Sequence, residues 1–538
     1  MYFHMLTLFK FSVNTFSDIK QLIFHKNWYI IYFVLIYAAF AAEKEMCLPM
    51  KKSKLVLGLI GAAAAANAVH AAVFKPKKTE PAPLSKEEVN VDRYRKNLSK
   101  AIQIKTISNR DTDLVDWDEF KKFHEFLDEA YPLVAKTLEK EVVPPANLVY
   151  RWKGKRSDLD GVALLAHQDV VPVSSGTEED WTHPAFDGVD DGEFIWGRGA
   201  LDMKNHLICV MESVEALLED GFTPERDVYL LFGDNEEVVA NDKNGAKDIM
   251  NHLREKGVRL DAILDEGGAM LPVNVPGVIN NKYLAGIGLA EKGYADIEVV
   301  VNAKGGHSSQ PPKHTALGKM ADVIKDLENH QFKASFSSNM KFLFDSIARN
   351  CTYPVRLLLC NLPILYPALL QVCKLIPPAA CMTRTTTGIT MAEGSPASNV
   401  LPQRAAITVN FRAMPGTTTE DLVHHIKKVV RNKDIEVNVL NSKEASKFSP
   451  MDSRSYKIIE RLCTAIEPRA IVSPFLVMGG TDACNYEPIC ENIYRYAPFK
   501  VDTALLLCTH GTNERIPVGA MSDALVFFKN YIREVSAE

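Results

Sequence analysis

Five separated segments of the chain each carry an imidazole or carboxylate group directly after an apolar run or within a short loop. Their sequences are AHQD at 166–169, GALD at 199–202, DNEE at 234–237, LDEGG at 264–268 and THG at 509–511. Imidazole and carboxylate together are a ligand set that suits zinc. Any one segment is also compatible with a cap, a turn or a structural histidine. The five together predict a metal-dependent site.

The apolar runs that precede these segments are expected to be buried strands. They are VALLA at 162–166, DVYLLF at 227–232 and LDAIL at 260–264, and between the first two the apolar residues of 205–218 share one helical face. Gly221 follows that helix as a stop signal. Such alternation predicts an α/β fold with helices around a mixed sheet. Ligands of such folds gather outside the carboxyl ends of the strands, where these segments lie.

The order of elements changes between residues 293 and 445. Predicted strands at 295–302, 385–391, 405–411 and 436–440 and helices at 313–329 and 418–430 follow a βαββαβ order, which is ferredoxin-like. We therefore expect an inserted lid or dimerisation domain with an extra apolar block inside it. The predicted organisation begins with an N-terminal targeting or anchor region and linker (1–83). A catalytic domain follows in two parts (84–292 and 446–538), and between them lies the inserted domain (293–445), which contains the apolar block (333–382).

Composition excludes several classes of protein. The 538 residues include 62 basic and 67 acidic side chains, a net charge of −5, and 47% are hydrophobic, as in an ordinary globular protein. The sequence contains no run of basic residues interleaved with aromatics, which is the pattern that would indicate a nucleic-acid partner. The ten cysteines are too sparse for a disulfide scaffold. The cluster Cys351, Cys360, Cys373 and Cys381 is compatible with local disulfides or with buried thiols.

The N-terminal region contains two apolar stretches, at 28–42 and 55–74. The second follows Met50, Lys51 and Lys52 and contains the small-residue site Ala66-Asn67-Ala68, a pattern typical of a secretory signal. The first is short for a membrane span. We expect routing into the secretory pathway, with the protein either secreted into a lumen or outside the cell, or tethered to a membrane by this segment.

Longer motifs identify a family. The segments WGRGALDMKNH (196–206), KGGHSSQPP (304–312), SNVLPQRAAITVNFR (398–412), GGTDAC (479–484) and HGTNERI (510–516) resemble the di-zinc exopeptidases of the aminoacylase, carboxypeptidase G and carboxypeptidase S family. The resemblance is greatest to the branch of carboxypeptidase S and the N-fatty-acyl-amino-acid synthase/hydrolases, and it runs from about residue 88 to 535. It implies a zinc-exopeptidase-like catalytic domain.

The resemblance implies two Zn²⁺ ions per chain. One would be held by His167 and Asp265, the second by Glu237 and His510, and Asp202 would bridge both. Three carboxylates against two Zn²⁺ leave one positive charge, which a bridging hydroxide would neutralise. Paired metals of this kind lower the pKa of a bound water toward ~7.

Further catalytic roles are also implied. Asp169 lies two residues after His167 and would orient its imidazole. Glu236 and Glu237 are adjacent and project to opposite sides of an extended backbone, so they can take different roles, and the resemblance implies that Glu236 is the general base. His307 would reach the active site of the other subunit and stabilise the oxyanion, so that the protein would be a homodimer through its inserted domain or would use an internal mimic of that contact.

The family pattern also supplies a substrate cleft. Arg412 and Asn399 match its substrate-binding pair, and a guanidinium suits a substrate carboxylate. Gly479, Gly480 and Thr481 would line the same cleft. Position 484 departs from the pattern, because Cys484 stands where the family commonly has Arg.

The expected function is that of a zinc-dependent metallohydrolase acting on a small N-acyl amino acid or a short peptide. It would cleave the amide bond to an amino acid with a free carboxylate, as a carboxypeptidase or an N-acyl-amino-acid amidohydrolase, and reversal with fatty acids fits the same site. The alternative is a catalytically silent member that binds acylated amino acids or a protein partner. The apolar segment 357–378 fits either a channel for a long acyl tail or a helical lid packed on its own core.

Overall fold

The computed structural model describes residues 50–76, 84, 87–238 and 244–538. The apolar stretch predicted at 28–42 lies outside this part of the chain. The chain divides into two compact units. One joins the N-terminal residues up to Lys78 with Phe344–Leu369, and the other contains Thr79–Leu343 and Leu370–Glu538.

The strands confirm the predicted α/β fold class. In chain order they are β1 (Glu139–Val143), β2 (Asn147–Trp152), β3 (Gly161–His167), β4 (Phe194–Trp196), β5 (Val228–Gly233), β6 (Leu260–Asp265), β7 (Met270–Val275), β8 (Ile279–Glu291), β9 (Gly293–Asn302), β10 (Gly306–His307), β11 (Thr386–Glu393), β12 (Val400–Leu401), β13 (Arg404–Ala413), β14 (Glu436–Lys443), β15 (Ala470–Val477), β16 (Ile493–Arg495) and β17 (Arg515–Pro517).

The described helices are numbered in the same way as the strands. In chain order they are α1 (Met50–Val73), α2 (Val91–Gln103), α3 (Trp117–Ala130), α4 (Pro132–Thr137), α5 (Lys204–Glu219), α6 (Gly245–Glu255), α7 (Ala316–Asn329), α8 (Ser338–Asn350), α9 (Tyr353–Leu359), α10 (Leu362–Leu375), α11 (Pro377–Cys381), α12 (Thr419–Val429), α13 (Arg454–Ile466), α14 (Thr503–Leu506) and α15 (Met521–Val535).

The large sheet is mixed and has the order β1-β2-β5-β3-β6-β16-β8-β15, with β7 paired to β8. Its centre is parallel, because β3 pairs in parallel with both β5 and β6. Every residue of β3 and β5 is buried, as expected of parallel strands covered on both faces. The three apolar runs of the sequence therefore lie side by side, and their carboxyl ends meet at one edge.

Two apolar cores cover the faces of this sheet. On one face, α5 is buried along almost its whole length and packs with α2, α13 and α15 in a single cluster. On the other face, α6 packs with a short 3₁₀ helix, Asp482–Tyr486. This short helix carries the GGTDAC motif to the sheet edge where the predicted site lies.

The smaller sheet has the antiparallel order β11-β13-β9-β14. Alternate residues of its central strands, such as Val299, Ile407 and Phe411, pack against α7 and α12, while the residues between them face the opposite side. Helix α7 begins at Ala316 rather than at residue 313, because the Thr315 side chain accepts the Gly318 backbone N–H and caps the helix there.

The N-terminal unit is built around helix α1. The Asn67 side chain donates to the Leu357 carbonyl at 3.0 Å and accepts from Asn361 Nδ2 at 2.6 Å. Arg356 Nε donates to the Ala71 carbonyl at 2.9 Å. The site Ala66-Asn67-Ala68, which matches a signal cleavage site by sequence, is therefore a point of contact between α1 and the inserted block.

Apolar side chains complete this unit. Ala71 and Phe74 are buried with Ala348, Cys360 and Leu362, and the guanidinium of Arg349 lies 4.1 Å from the centroid of the Phe74 ring. The inserted block is thus helical, and part of its apolar surface packs against α1. Among the described helices none alone has the length and apolarity to cross a membrane, although α9 and α10, bent by 93°, have them together.

The structure also decides between the two interpretations of the cysteine cluster. Cys351, Cys360 and Cys373 are buried and Cys381 is half-buried, and all four are free thiols. Burial raises the pKa of Cys351, Cys360 and Cys373, as expected of thiols that serve as small apolar side chains.

Candidate active site

The parallel strands deliver half of the site. His167 is the last residue of β3, Asp265 is the last residue of β6, and Glu236 and Glu237 follow the end of β5. The Glu236 and Glu237 backbone N–H groups donate to the two oxygens of Asp169, at 3.1 and 3.2 Å. The Asp169 carboxylate therefore holds the loop that follows β5 beside the loop that follows β3.

The other half comes from two loops that flank a small ribbon. Strand β17 pairs with β4, with Arg515 opposite Trp196, so the loop containing His510 lies beside the loop containing Asp202. His510 has a φ of 60°, in the left-handed region that non-glycine residues seldom adopt. Arg198 donates to the His510 carbonyl at 3.3 Å and holds the loop in this conformation.

Asp202 lies between the two histidines. Its Oδ1 is 3.1 Å from His167 Nε2, and its Oδ2 is 3.1 Å from His510 Nε2. Glu237 Oε2 lies 2.9 Å from the same His510 nitrogen. One carboxylate therefore faces an imidazole with each oxygen, which is the arrangement required of a group that bridges two cations.

The structure corrects the predicted role of Asp265. Glu266, not Asp265, faces His167, with Oε1 at 3.4 Å from Nε2. Asp265 is buried and its Oδ2 accepts the Ala483 backbone N–H at 3.1 Å. Adjacent residues at a strand end project to opposite sides, and here the second of the two carboxylates is on the side of the site.

These groups fit divalent cations. His167, Asp202 and Glu237 place one ligand atom each within 4.8 Å of one another, and so do His167, Glu236 and Glu266. The donor set is imidazole and carboxylate, which suits zinc. Two overlapping groups of ligand atoms are what a pair of neighbouring cations requires.

The electrostatics show the same need for positive charge. Burial and the nearby Asp202 raise the pKa of Glu266 to about 8, and burial and Asp265 raise the pKa of Asp482 to about 8. Burial also raises the pKa of Glu236 well above its usual value. Hydrogen bonds to Asp202 and Glu237 raise the pKa of His510 to about 10. Without cations, Glu266, Asp482 and Glu236 therefore retain their protons to a higher pH than free carboxyl groups do.

Asp169 supports His167 as the sequence predicts for an orienting group. Its carboxylate Oδ1 lies 3.3 Å from His167 Nδ1 and its backbone carbonyl oxygen 3.0 Å from the same nitrogen. Ser108 Oγ donates to the other carboxylate oxygen at 2.6 Å. With Nδ1 held in this way, Nε2 of His167 is directed at Asp202 and Glu266.

Sequence reasoning missed an ion pair that joins the two loops. Arg198 and Glu514 are buried, with Nη1 and Oε2 2.6 Å apart. The other oxygen of Glu514 accepts the backbone N–H groups of Gly199, Leu201 and Asp202 at 2.8–3.1 Å. Both residues lie within the motifs WGRGALD and HGTNERI, and one charged residue of each sign in these two glycine-containing motifs is the signal that could have found the pair.

Two of the predicted oxyanion and substrate residues, His307 and Asn399, lie at the two-stranded ribbon of β10 and β12. His307 is exposed on β10, its Nδ1 is 2.8 Å from Ser309 Oγ, and it lies outside both groups of ligand atoms. The Asn399 carbonyl accepts the Ser308 N–H at 3.1 Å, so Asn399 is a neighbour of this loop. The structure therefore brings the loop of His307 and Asn399 together.

The remaining predicted substrate residues differ in their exposure to solvent. Gly479 and Gly480 are exposed, whereas Thr481 is buried and donates its N–H and hydroxyl to Glu291, at 2.9 and 2.8 Å. The Thr481 side chain therefore fixes the loop. Arg412 is half-buried, with its guanidinium 4.7 Å from the Tyr294 ring centroid.

With this geometry established, comparison with known proteins defines the class. The model of peptidase family M20/M25/M40 matches residues 163–534. The chain belongs to this family and is a hydrolytic enzyme.

Relatives cover most of the chain. It is 35% identical over 81% of its length to a probable carboxypeptidase S-like protein of Dictyostelium discoideum, covering 84% of that protein. It is 31% identical, with the same coverage of both chains, to the N-fatty-acyl-amino acid synthase/hydrolase of Xenopus tropicalis. Carboxypeptidase S of Saccharomyces cerevisiae is 28% identical, covering 82% of this chain and 83% of its own.

Solved structures share the fold. The M20 family metallo-carboxypeptidase Sso-CP2 of Sulfolobus solfataricus aligns with a TM-score of 0.58 at 15% identity, over 82% of this chain and 99% of its own. The di-peptidase Dug1p of Saccharomyces cerevisiae aligns with a TM-score of 0.56 at 15% identity, over 83% and 96%. At this identity the likeness concerns the fold alone.

Replacing Glu514 with glutamine tests the buried ion pair. E514Q keeps the shape of the side chain but leaves the Arg198 guanidinium buried without its counter-charge, so we expect a loss of about 3–5 kcal/mol in the free energy of unfolding. Urea denaturation measures it. The control is E534Q, which removes a partly exposed partner of Arg461 and should cost about 1 kcal/mol or less. Equal losses in the two variants would contradict the assigned role.

The stability of the metal-free protein should fall as pH rises from about 5 to 8. Unfolded glutamate and aspartate release their protons near pH 4, whereas folded Glu266 and Asp482 keep theirs to about 8. The folded state thus binds more protons in this window, and the free energy of unfolding decreases by about 1 kcal/mol or more per pH unit. The raised pKa of His510 acts in the same direction above pH 6.5.

Urea unfolding at pH 5, 6, 7 and 8 in the presence of a chelator measures this trend. The same series with zinc added is the control, because bound cations keep the carboxylates ionised and should remove the decline. A metal-free protein that gains stability over this pH range would show that the carboxylates are not crowded as described.

Proposed function

We propose that the chain is a zinc-dependent hydrolase that cleaves the amide bond between an acyl or peptidyl group and an amino acid with a free carboxylate. The observation that carries the proposal is Asp202, whose two oxygens each lie 3.1 Å from a histidine nitrogen, with Glu236 beside the same centre. A catalytically silent member would be expected to lack one of these groups, and every one is in place.

Two Zn²⁺ ions per chain fit the ligand atoms. His167 and Glu266 would hold one, Glu237 and His510 the other, and Asp202 would contact both. When bound, such a pair polarises an amide carbonyl and lowers the pKa of a water molecule toward ~7.

Glu236 is the proposed general base and acid. Its Oε2 lies 4.0 Å from His167 Nε2, and burial raises its pKa well above the usual value. In its ionised form, a carboxylate whose pKa is raised would take a proton from the attacking water and transfer it to the leaving amine nitrogen. The carbon–nitrogen bond breaks, and the products are a carboxylic acid and an amino acid with a free amine.

The substrate class is proposed from the cleft and the relatives. Arg412 supplies a guanidinium for the carboxylate of the amino acid, and relatives at 28–35% identity bear the names carboxypeptidase S and N-fatty-acyl-amino acid synthase/hydrolase. Both names describe an amide to an amino acid. The same site serves synthesis when the amine and the fatty acid are abundant.

A homodimer is the proposed assembly. His307 is exposed on the inserted domain and lies outside the ligand groups of its own chain, so a second subunit is needed for it to face a substrate. There it would donate a hydrogen bond to the oxyanion of the tetrahedral intermediate.

The proposed location is the secretory pathway, with the N-terminal region, including α1, retained as a tether. Cleavage after Ala68 would remove Asn67, whose side chain contacts Asn361 and the Leu357 carbonyl, and would leave Ala71 and Phe74 of the apolar core on a short free end of the chain. Retention keeps these contacts. Lysines lie in the first turns of α1, at 51, 52 and 54, and just after its end, at 75, 77 and 78.

A substrate panel tests the proposed activity. The zinc-loaded full chain is incubated with long-chain N-acyl amino acids, N-acetyl amino acids and glycyl dipeptides, and mass spectrometry follows each. Turnover of at least one class is expected. E236Q should lower kcat by about 10²–10⁴-fold with zinc content unchanged, and the exposed E178Q is the control. Retained activity in E236Q would exclude Glu236 as the base, and an inactive zinc-loaded wild type would overturn the proposal for these substrates.

The intact mass of the protein recovered from a secretory host tests the tether. A mass that includes residues 50–73 and recovery in the membrane fraction are expected. The variant R356M removes the hydrogen bond to Ala71 and should increase cleavage near residue 68, while R110M, at an exposed position of the other unit, should not. A wild-type protein that begins after residue 68 would show that α1 is a removed signal.

A further inference from the structure

Three side chains form one row across the smaller sheet. Strands β14, β9 and β13 are neighbours, and their register places Lys443 and Arg412 on either side of Tyr294. Directly opposite residues of paired strands point to the same face. Two cations therefore stand on one face with an aromatic ring between them, on the side away from the core helices α7 and α12.

The row lies beside the loop that contains the exposed glycines. Lys443 Nζ donates to the Thr481 carbonyl at 3.3 Å. A Cβ atom placed on Gly480 would lie 3.4 Å from the same nitrogen, so only the lack of a side chain at 480 leaves the ammonium accessible from the cleft. Lys443 is exposed as a whole residue, while its ammonium group is partly enclosed by the loop of Thr481.

The charge of Lys443 is available to a ligand. Glu291 Oε2 would lie 3.6 Å from the same Cβ atom. The two oxygens of Glu291 already accept hydrogen bonds, from Arg495 at 2.6 Å and from Thr481. An ammonium group has three donors. The Thr481 carbonyl and the Cys484 side chain take two of them, and the third remains for a ligand.

Lys443 also stays protonated at neutral pH. Burial of the group by the surrounding loop would by itself lower its pKa, but Cys484 and Glu291 raise it above the ordinary lysine value. Burial raises the pKa of the Cys484 thiol to about 12, so the thiol is neutral and its contact with Lys443 adds no negative charge at neutral pH.

We propose that Lys443 is a second carboxylate-binding residue, which together with Arg412 holds the free carboxylate of the amino acid from the opposite side of Tyr294. Backbones two strands apart are separated by about 10 Å, a gap that two long side chains close around one carboxylate. The proposal rests on the proposed function. The preference for a substrate with a free carboxylate would then depend on both Lys443 and Arg412.

Steady-state kinetics of K443M and K443R test it with N-lauroyl-leucine and N-lauroyl-leucinamide. K443M should raise KM for the acid at least about tenfold, change kcat by less than about threefold, and leave the amide unaffected. K443R, which keeps the charge, should recover most of the affinity. K447M is the matched control, because Lys447 is an exposed lysine four residues along the chain, and thermal melting checks that each variant is folded.

Two results would overturn the proposal. One is K443M with kinetics equal to those of the wild type, and the other is an equal loss for the acid and the amide, which would indicate a structural role. An inactive wild type would overturn the proposed function alone. Calorimetric titration with N-acetyl-leucine and its amide then decides the role of Lys443, because only a carboxylate-binding lysine makes K443M lose the preference for the acid.

Discussion

The buried pair of Arg198 and Glu514 is the interaction on which the rest of the site depends. Glu514 fixes the loop of Asp202 through three backbone N–H groups, and Arg198 holds the loop of His510 through its carbonyl. Both loops lack regular secondary structure at the site, so no ladder of hydrogen bonds would otherwise determine their distance. A buried ion pair is costly to break, and here it determines the position of the Asp202 carboxylate.

The other half of the site relies on the sheet. Parallel strands end at the same edge, so β3, β5 and β6 bring His167, Glu236 and Glu266 together without any special loop. The consequence is a concentration of negative charge that the protein alone does not neutralise. The raised pKa values of Glu266 and Asp482 result from burial and from this charge, and the proposed pair of divalent cations would remove the conflict. Stability and metal binding would then be linked in this protein.

The sequence predicted the elements better than the directions of their side chains. Apolar runs and a stop glycine sufficed for β3, β5, β6 and α5, because burial on both faces leaves a strong pattern. The choice between Asp265 and Glu266 was wrong, since two adjacent carboxylates at a strand end differ only in which side they face. The contact of α1 with the inserted block could not be predicted either, because it joins segments almost 300 residues apart through a few polar groups such as Asn67.

The place of Lys443 in the fold distinguishes it from Arg412. The smaller sheet joins the rest of the fold between β8 and β9 and after β14, and these two connections are bonded to each other, since Ser446 N donates to the Glu291 carbonyl and Glu291 N donates to Ser446 Oγ. Lys443 is the last residue of β14 and donates to the Thr481 carbonyl, whereas Arg412 lies within β13, two strands away. A carboxylate bound by both cations would therefore connect the smaller sheet with the loop that contains Thr481.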